Sequence, residues 1–312
     1  MVVLTLLGLL LLVAVVTYLF VDLKGARSYA LNLRGRQLLA LIVVGSAVGL
    51  SSVVFQTIAG SRILTPGVMG FDSLYLLIQT LIVYVFGANA FLTLGASTSF
   101  VVNVVLLSAF GLLLFRWLFR RGSRNLFVLV LVGVVCGAVF GSLTTFASRL
   151  LSPDDYLTLQ DVMFASFNRV SPDLLAVTTV ITLLGCALLL PLLRYLDVVD
   201  LGYDVAVSLG LNYHRVVTLT LLVVTILVAT STALVGPMIF LGLIVANVAR
   251  QLIPTFRHSV LICAAALVGA LTTVLGQLVV VHVFGQTTTL SVVVNLVGGL
   301  YFLVLLMRKA RL

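Results

Sequence analysis

The chain has 312 residues, of which 62% are hydrophobic and 9% are charged, and its mean hydropathy is +1.30. Soluble domains have about 45–50% apolar and about 25% charged residues. The composition therefore excludes a soluble globular domain, a disordered chain, a collagen and a disulfide-stapled module. It predicts an all-α polytopic membrane protein, and the length allows about ten spanning helices of about 20 residues each.

Apolar runs divide the chain into ten predicted spans. Residues 2–21 lack the basic start and the cleavage site of a signal peptide, so we interpret them as span 1. The others lie at about 38–59, 67–86, 98–119, 126–148, 173–195, 216–234, 237–253, 259–284 and 290–307. Nothing is left for a water-soluble domain, so we expect residues 1–312 to form a single transmembrane domain.

The basic residues predict the orientation, because Lys and Arg are enriched in cytoplasmic loops. With a cytoplasmic N-terminus, the inside segments hold twelve Lys and Arg and the outside segments hold six. We therefore expect both termini in the cytoplasm. The basic linker 22–36 is an exception, since it lies outside in this orientation. The basic residues that give the net charge of +9 lie between apolar runs, as loop residues of a membrane protein do. No nucleic-acid partner is therefore expected.

Span 5 carries glycine at every fourth position, at Gly133, Gly137 and Gly141. This spacing places the three glycines on one helix face, where another backbone can approach closely. Helix–helix packing explains the pattern, and so does a position at a subunit interface or along a pathway. Ser142 and Thr145 follow as suitable polar lining.

Few ionisable or metal-ligating residues lie inside the spans. Asp72 is about six residues into span 3, where a charge costs on the order of 3 kcal/mol in mid-bilayer and less near an interface. It either pairs with Arg62 near the cytoplasmic interface or forms an ion- or proton-coupling site. The three cysteines and three histidines are isolated from one another, so no metal site is expected.

Residues 197–215 form the most distinctive polar segment. Tyr203 to Leu209 can form a short amphipathic helix, with Gly202 and Gly210 allowing the chain to turn at its two ends. Such a helix between spans 6 and 7 lies on the cytoplasmic face in the predicted orientation. It suits the docking of a soluble partner, although an ordinary interfacial helix has the same pattern.

Several motifs together resemble a known family. Leu201-Gly202-x3-Ala206-x2-Leu209-Gly210 is similar to the coupling segment of the iron-siderophore/vitamin B12 family of ABC-importer permeases. Three other regions agree in order across residues 30–308: Arg36-Gln-Leu-Leu-Ala through Gly45, Gly49 and Gln56 to Pro66-x3-Gly70; Gly236-Pro-Met-Ile-Phe240-Leu-Gly242; and Gly269-Ala270 with Gly298-Gly-Leu-Tyr-Phe302. Phe71-Asp72-Ser73-Leu74-Tyr75 resembles the branch that serves ferric catecholate siderophores.

The resemblance implies a permease domain that does no covalent chemistry and has no catalytic residue. ATP and Mg would be used by a partner ABC ATPase dimer, and no cofactor would be bound by this chain. The other implied partners are a second permease copy or a sister permease, an extracytoplasmic siderophore-binding protein and the lipid bilayer. The implied location is the cytoplasmic (inner) membrane of a bacterium.

The resemblance also implies site residues. Those for ATPase coupling are Gly202, Asp204, Ala206, Leu209 and Gly210. Those for binding-protein docking, which would explain the basic linker, are Arg34 and Arg36. Those for the translocation pathway at a permease dimer interface are Gly137, Gly141, Ser142, Thr145 and Asn295.

A secondary transporter of an organic anion or a metal chelate is the alternative from another class. Such a protein needs an intramembrane coupling site. Asp72 is the residue that fits this requirement. The sequence leaves open which siderophore is carried and whether the permease dimer is formed by identical chains.

Overall fold

The structure is a computed structural model that describes residues 2–21, 27–93, 95–120, 126–168, 170–285 and 287–309. Throughout these ranges the secondary structure is helical, with short links and no strand. The α-helices are α1 (Val2–Phe20), α2 (Arg27–Ala59), α3 (Phe71–Thr93), α4 (Gly95–Arg120), α5 (Leu126–Ser148), α6 (Pro153–Met163), α7 (Pro172–Leu189), α8 (Leu193–Val199), α9 (Tyr203–Ser208), α10 (Tyr213–Val235), α11 (Leu241–Leu252), α12 (His258–His282) and α13 (Leu290–Lys309).

Seven helical segments in the described ranges are long and apolar enough to cross a membrane. They are α1, α2, α4, α5, α7 continued by α8, α10 and α12. Three shorter apolar helical segments, Phe71–Gly87, Leu241–Leu252 and Leu290–Val304, coincide with predicted spans 3, 8 and 10. The prediction of an all-α protein with membrane-spanning helices is confirmed. The count of ten crossings and the side of the termini stay predictions.

Two segments that we predicted as linkers are helical. Helix α2 begins at Arg27, so the later part of the basic linker is the first part of a 33-residue helix. Helix α6 lies between predicted spans 5 and 6, in residues 149–172, which carry Asp154, Asp155 and Asp161. Its start is explained by Pro153 at the first helical position and by Ser152, whose Oγ accepts a hydrogen bond from the Asp155 amide at 3.2 Å.

Helices α2 and α12 are in backbone contact. A Cβ built on Gly45 would lie 2.5 Å from the carbonyl oxygen of Gly269, and one built on Gly49 would lie 2.5 Å from that of Ala265. The Thr273 hydroxyl donates a hydrogen bond to the carbonyl oxygen of Leu41 at 2.8 Å. Small residues allow this close approach, which stabilises helix pairs in a bilayer through van der Waals contact.

The core is divided between two main clusters of buried apolar side chains. One lies among α1, α2, α11 and α12. The other lies among the last turns of α2, the first turns of α3, and helices α4, α8, α9 and α10. The short helix α9 is therefore attached to the second cluster and does not stand apart from the helical bundle.

Candidate coupling surface and translocation face

Helix α9 is a six-residue helix bounded by two glycines. Gly202 has a φ of 97° and Gly210 a φ of 81°, a region that other residues rarely adopt. A Cβ at either position would meet no atom within 4 Å, so backbone conformation and not space explains these glycines. The predicted helix and its glycine stop are confirmed.

The end of α9 follows the Schellman pattern. The Leu211 amide donates to the carbonyl oxygen of Ala206 at 3.0 Å, and the Gly210 amide donates to that of Val207 at 2.9 Å. These bonds satisfy carbonyl groups that a helix end would leave unpaired. The link to α10 is therefore a defined turn.

One face of α9 is anchored to the chain's own core. Ala206 is 0% exposed and lies in the same buried cluster as Val199 and Tyr213. The Tyr203 and Tyr213 rings are 5.0 Å apart with an interplanar angle of 75°, an edge-to-face contact that favours association. These contacts fix the position of α9 against α8 and α10.

The opposite face of α9 is uncovered and largely apolar. Leu209 is 65% exposed, and Leu201, Val205 and Val207 are exposed as well. Asp204 supplies a charge on the exposed side. Exposed apolar patches rimmed by polar groups mark sites of contact with another protein or with a membrane. Of the five residues predicted for ATPase coupling, four are exposed, whereas the Ala206 methyl is covered by this chain and can act only by positioning the helix.

A buried polar network lies next to this surface, and sequence reasoning missed it. The backbone N–H and the ring Nδ1 of His258 both lie 2.7 Å from Oδ1 of Asp197 in α8. The other ring nitrogen, Nε2, lies 2.8 Å from Oγ1 of Thr57. His258 is 1% exposed, so these contacts supply its polar partners in the described chain.

Arg250 extends the network to α11. Its Nη2 donates to Oγ1 of Thr57 at 3.1 Å and to the carbonyl oxygen of Val53 at 3.4 Å. The network thus joins α2, α8, α11 and α12. The members of the network are far apart in sequence, and no pattern in the sequence linked Asp197 and His258, which flank predicted spans, to Thr57, which lies inside one.

The glycine face of α5 packs within the chain. A Cβ on Gly133 would lie 2.9 Å from Cβ of Met69, and one on Gly137 would lie 3.1 Å from Cα of Gly70. At these two positions α5 packs closely against the link just before α3, and the pathway role of Gly137 stays a prediction. Gly141 lies beyond this contact, since nothing is within 4 Å of a Cβ there.

The other predicted pathway residues lie at two separate places. Ser142 and Thr145 are exposed, and their hydroxyls lie 2.9 Å from the carbonyl oxygens of Ala138 and Gly141 one turn earlier. Ser142 lines an open groove of about 500 Å³ along α5. Asn295 is half-buried on α13, which packs against α11 and α12, while α5 packs mainly against α3. Within the chain the two places are not brought together.

The two predicted docking arginines differ in their surroundings. Nη1 of Arg34 lies 2.7 Å from the carbonyl oxygen of Val21, with those of Tyr18 and Leu19 also in reach, so it caps the end of α1. Arg36, two residues further along α2, is exposed. Arg34 therefore has a structural role, and Arg36 is available to a partner.

The family model of the FecCD transport family matches residues 2–308. The chain belongs to this family. The match confirms the resemblance that the motifs indicated. FecCD proteins are transport permeases, so the surface at α9 and the face of α5 belong to a transport protein and not to an enzyme.

Curated relatives agree with this assignment to the FecCD family. The chain is 42% identical over 298 residues to the petrobactin import system permease protein YclO of Bacillus subtilis, covering 96% of this chain and 94% of the relative. It is 35% identical to the petrobactin import system permease protein FatC of Bacillus anthracis, covering 88% and 78%. It is 30% identical to the ferric enterobactin transport system permease protein FepG of Escherichia coli, covering 88% and 81%.

A solved structure shares the fold of this FecCD chain. It is described as an inward-facing conformation of a metal-chelate type ABC transporter, and it matches with a TM-score of 0.84 over 98% of each chain. At 24% sequence identity this similarity establishes the fold alone.

Proposed function

We propose that the chain is the permease subunit of an ATP-driven ABC importer in the cytoplasmic membrane of a bacterium. Residues 1–312 form one permease domain that crosses the bilayer ten times, with both termini in the cytoplasm. The ten apolar helical segments and the distribution of Lys and Arg support this topology.

The uncovered apolar face of α9 is the observation that carries the proposal. A partner ATPase dimer docks there, with Leu209, Val205 and Asp204 in the contact and with Gly202 and Gly210 setting the turns. Ala206 positions the helix through its contact with the chain's own core. Hydrolysis of ATP with Mg occurs in the partner, and this chain receives the movement.

The buried polar network provides a path for that movement. Asp197 is six residues before α9 and contacts His258 at the first turn of α12, which in turn contacts Thr57 near the end of α2. Displacement of α8 and α9 would therefore act directly on α12 and α2, which are in backbone contact with each other.

The proposed cargo is a ferric siderophore of the catecholate type. The names of the relatives support this class, because two are petrobactin permeases and one is an enterobactin permease, and petrobactin is a catecholate-type siderophore. A ferric catecholate is a large anion. The exposed Ser142 and Thr145 and the half-buried Gly141 lie on a face of α5 whose groove is otherwise lined by apolar side chains, and such a face suits a smooth wall for its passage.

A second permease, either a copy or a sister chain, completes the pathway in this proposal. It covers the exposed face of α5 and brings Asn295 of α13 into the same pathway, which a single chain does not do. A siderophore-binding protein docks on the extracytoplasmic side at Arg36. Selectivity lies mainly in that protein.

Affinity purification of the chain from native membranes in mild detergent tests the assembly. We expect an ABC ATPase to be recovered in a stoichiometric ratio, together with a second permease if the dimer is mixed. Recovery of this chain alone, under conditions that keep a known ABC importer intact, would contradict the proposal and favour the secondary transporter.

Uptake of ⁵⁵Fe into proteoliposomes that contain the purified assembly tests the cargo. We expect ATP-dependent uptake with a ferric catecholate and its binding protein, and little uptake with a ferric hydroxamate. Equal uptake of both chelates would contradict the catecholate assignment and leave the importer assignment intact.

A further inference from the structure

A small, partly open cavity lies where the α2–α3 link meets the junction of α10 and α11. Its volume is about 20 Å³. The oxygen-bearing side chains that line it are those of Ser52, Thr65, Asp72, Ser231 and Thr232. A cavity needs about 10–15 Å³ to hold one water. The cavity therefore has room for one water-sized particle and excludes any siderophore.

Asp72 is the ionisable residue of this cavity. Asp72 is 6% exposed, and no hydrogen bond or ion pair reaches its carboxylate from the residues that the structure describes. The pairing with Arg62 that the sequence suggested is therefore absent from the structure. Burying a charged group is costly unless it is paired or coordinates a cation.

A glycine, Gly67, occupies the position next to the carboxylate, where a larger residue would not fit. A Cβ built on Gly67 would be 2.5 Å from Oδ2 of Asp72. The carboxylate is thus held directly against the link between α2 and α3. The packing of this link therefore holds the carboxylate in the cavity.

Two hydroxyls of the same cavity lack partners. Oγ1 of Thr65 and Oγ of Ser231 are buried, and no hydrogen bond reaches either atom in the described chain. Thr65 is 2% exposed and Ser231 is 1% exposed. Buried hydroxyls usually have a hydrogen-bond partner, and a water or a bound ion in the cavity would supply one. They point to a ligand independently of the carboxylate.

We propose that this cavity binds one monovalent cation of the size of Na⁺. All the side chains that line it with polar atoms offer oxygen, which is the donor that hard cations prefer. A single carboxylate balances one positive charge, whereas a divalent ion would leave an uncompensated charge inside the protein. The bound cation ties the α2–α3 link to the α10–α11 junction. This proposal goes beyond the importer function and does not depend on it.

Equilibrium binding of ²²Na⁺ to the purified, intact assembly tests the proposal. We expect saturable binding of one ion for each copy of this chain, with K⁺ a weaker competitor. Asp72→Asn should weaken binding by about ten-fold or more, which corresponds to about 1.4 kcal/mol. Ser231→Ala should weaken it less. The matched control is Asp173→Asn, which changes an exposed acid in the first turn of α7 and should leave binding unchanged.

Thermal unfolding of the wild-type assembly gives a second readout that needs no variant. The melting temperature should be higher in NaCl than in choline chloride of equal ionic strength, and Asp72→Asn should abolish the difference. Absence of saturable Na⁺ binding, or equal binding by Asp72→Asn, would overturn the proposal and leave a neutral carboxyl group in contact with water. Because neither measurement involves uptake, failure here leaves the importer assignment intact.

Discussion

One carboxylate oxygen of Asp197 makes two contacts with His258. The backbone nitrogen and the ring Nδ1 of the histidine both lie 2.7 Å from Oδ1 of the aspartate. The contact links the first turn of α12 to α8, immediately before the exposed helix α9. The ring continues to Thr57 of α2. The surface proposed for the ATPase is thereby connected to the longest helix of the permease.

Replacing His258 with alanine should lower both stability and coupling. The change removes the imidazole from Thr57, which keeps its bonds to Val53 and Arg250, and from Asp197, whose side chain is 35% exposed, so we expect a loss of about 1 kcal/mol, at the low end of the range for a buried hydrogen bond. We expect a lower melting temperature and fewer siderophores carried for each ATP hydrolysed. His282→Ala is the matched control, because His282 is exposed and contacts a carbonyl of its own helix. Equal effects of the two substitutions would show that the network does not take part in coupling.

Leu209→Asp should impair ATPase docking without unfolding the permease. Leu209 is exposed, so a charge there costs little in the isolated chain but opposes burial in a partner's apolar groove. We expect a normal melting temperature and much less co-purified ATPase. Phe256→Asp, which places the same charge at an exposed apolar residue outside α9, serves as the control. Full ATPase recovery with Leu209→Asp would mean that α9 is not the docking site.

Ala206→Asp should act differently, because Ala206 faces the chain's own core. A buried carboxylate there would displace α9 from α8 and α10. We expect the protein to remain in the membrane, with ATP hydrolysis uncoupled from transport and with faster proteolytic cleavage near α9. Gly210→Pro should also uncouple, since proline cannot adopt the φ of 81° at this position. Normal uptake by both variants would contradict the coupling role.

Gly45→Ala should destabilise the contact of α2 with α12. The added methyl would lie 2.5 Å from the Gly269 carbonyl oxygen, and overpacking of this kind costs about 1–3 kcal/mol. Gly35→Ala on the same helix is the control, because nothing lies within 4 Å of a Cβ there. Thermal unfolding in detergent should show a lower melting temperature for the first variant only. An unchanged value for Gly45→Ala would show that the two helices separate easily.

Arg34→Glu and Arg36→Glu should separate a structural role from a docking role. Arg36→Glu should weaken association with the binding protein, most strongly at low salt, and should leave stability unchanged. Arg34→Glu should also lower the melting temperature, because the carbonyl groups at the end of α1 lose their donor. Binding-protein affinity at low and high salt, measured for both variants, distinguishes these outcomes. Unchanged affinity with Arg36→Glu would leave the basic segment as a solvated surface.

Hydropathy predicted the positions of the apolar helices because lipid exposure imposes it on every span. The glycine-bounded helix at 203–208 was also predictable, since Gly202 and Gly210 are local signals of turn geometry. The helical start of α2 was missed because basic residues in a linker resemble a solvated loop. Predicted span 3 ends at about residue 86, just before the non-helical Gly87 with a φ of 76°, but the apolar run gave no sign that α3 continues to Thr93.

Contacts between distant segments could not be predicted from one sequence. His258 and Thr57 are 201 positions apart, and each looks unremarkable in its own segment. Asp72 shows the same limit in the opposite direction. Its spacing suggested a pair with Arg62, but the fold places its carboxylate against Gly67 in a cavity lined with hydroxyls. Local patterns specify elements, whereas partners follow from how the elements pack.

Helix α2 has 33 residues and reaches from Arg27 to Ala59 without a break. At 1.5 Å per residue it is about 50 Å long. The exposed Arg36 lies within the first third of the helix, and Thr57, which contacts His258, lies near its other end, so a single helix connects the proposed docking residue to the polar network beside α9. Over the roughly 32 Å between these two residues, a tilt of about 5° displaces one relative to the other by about 3 Å. Docking of a binding protein outside and of an ATPase inside could therefore affect each other through the tilt of a single helix. No contact along the middle of that helix would need to be exchanged for another.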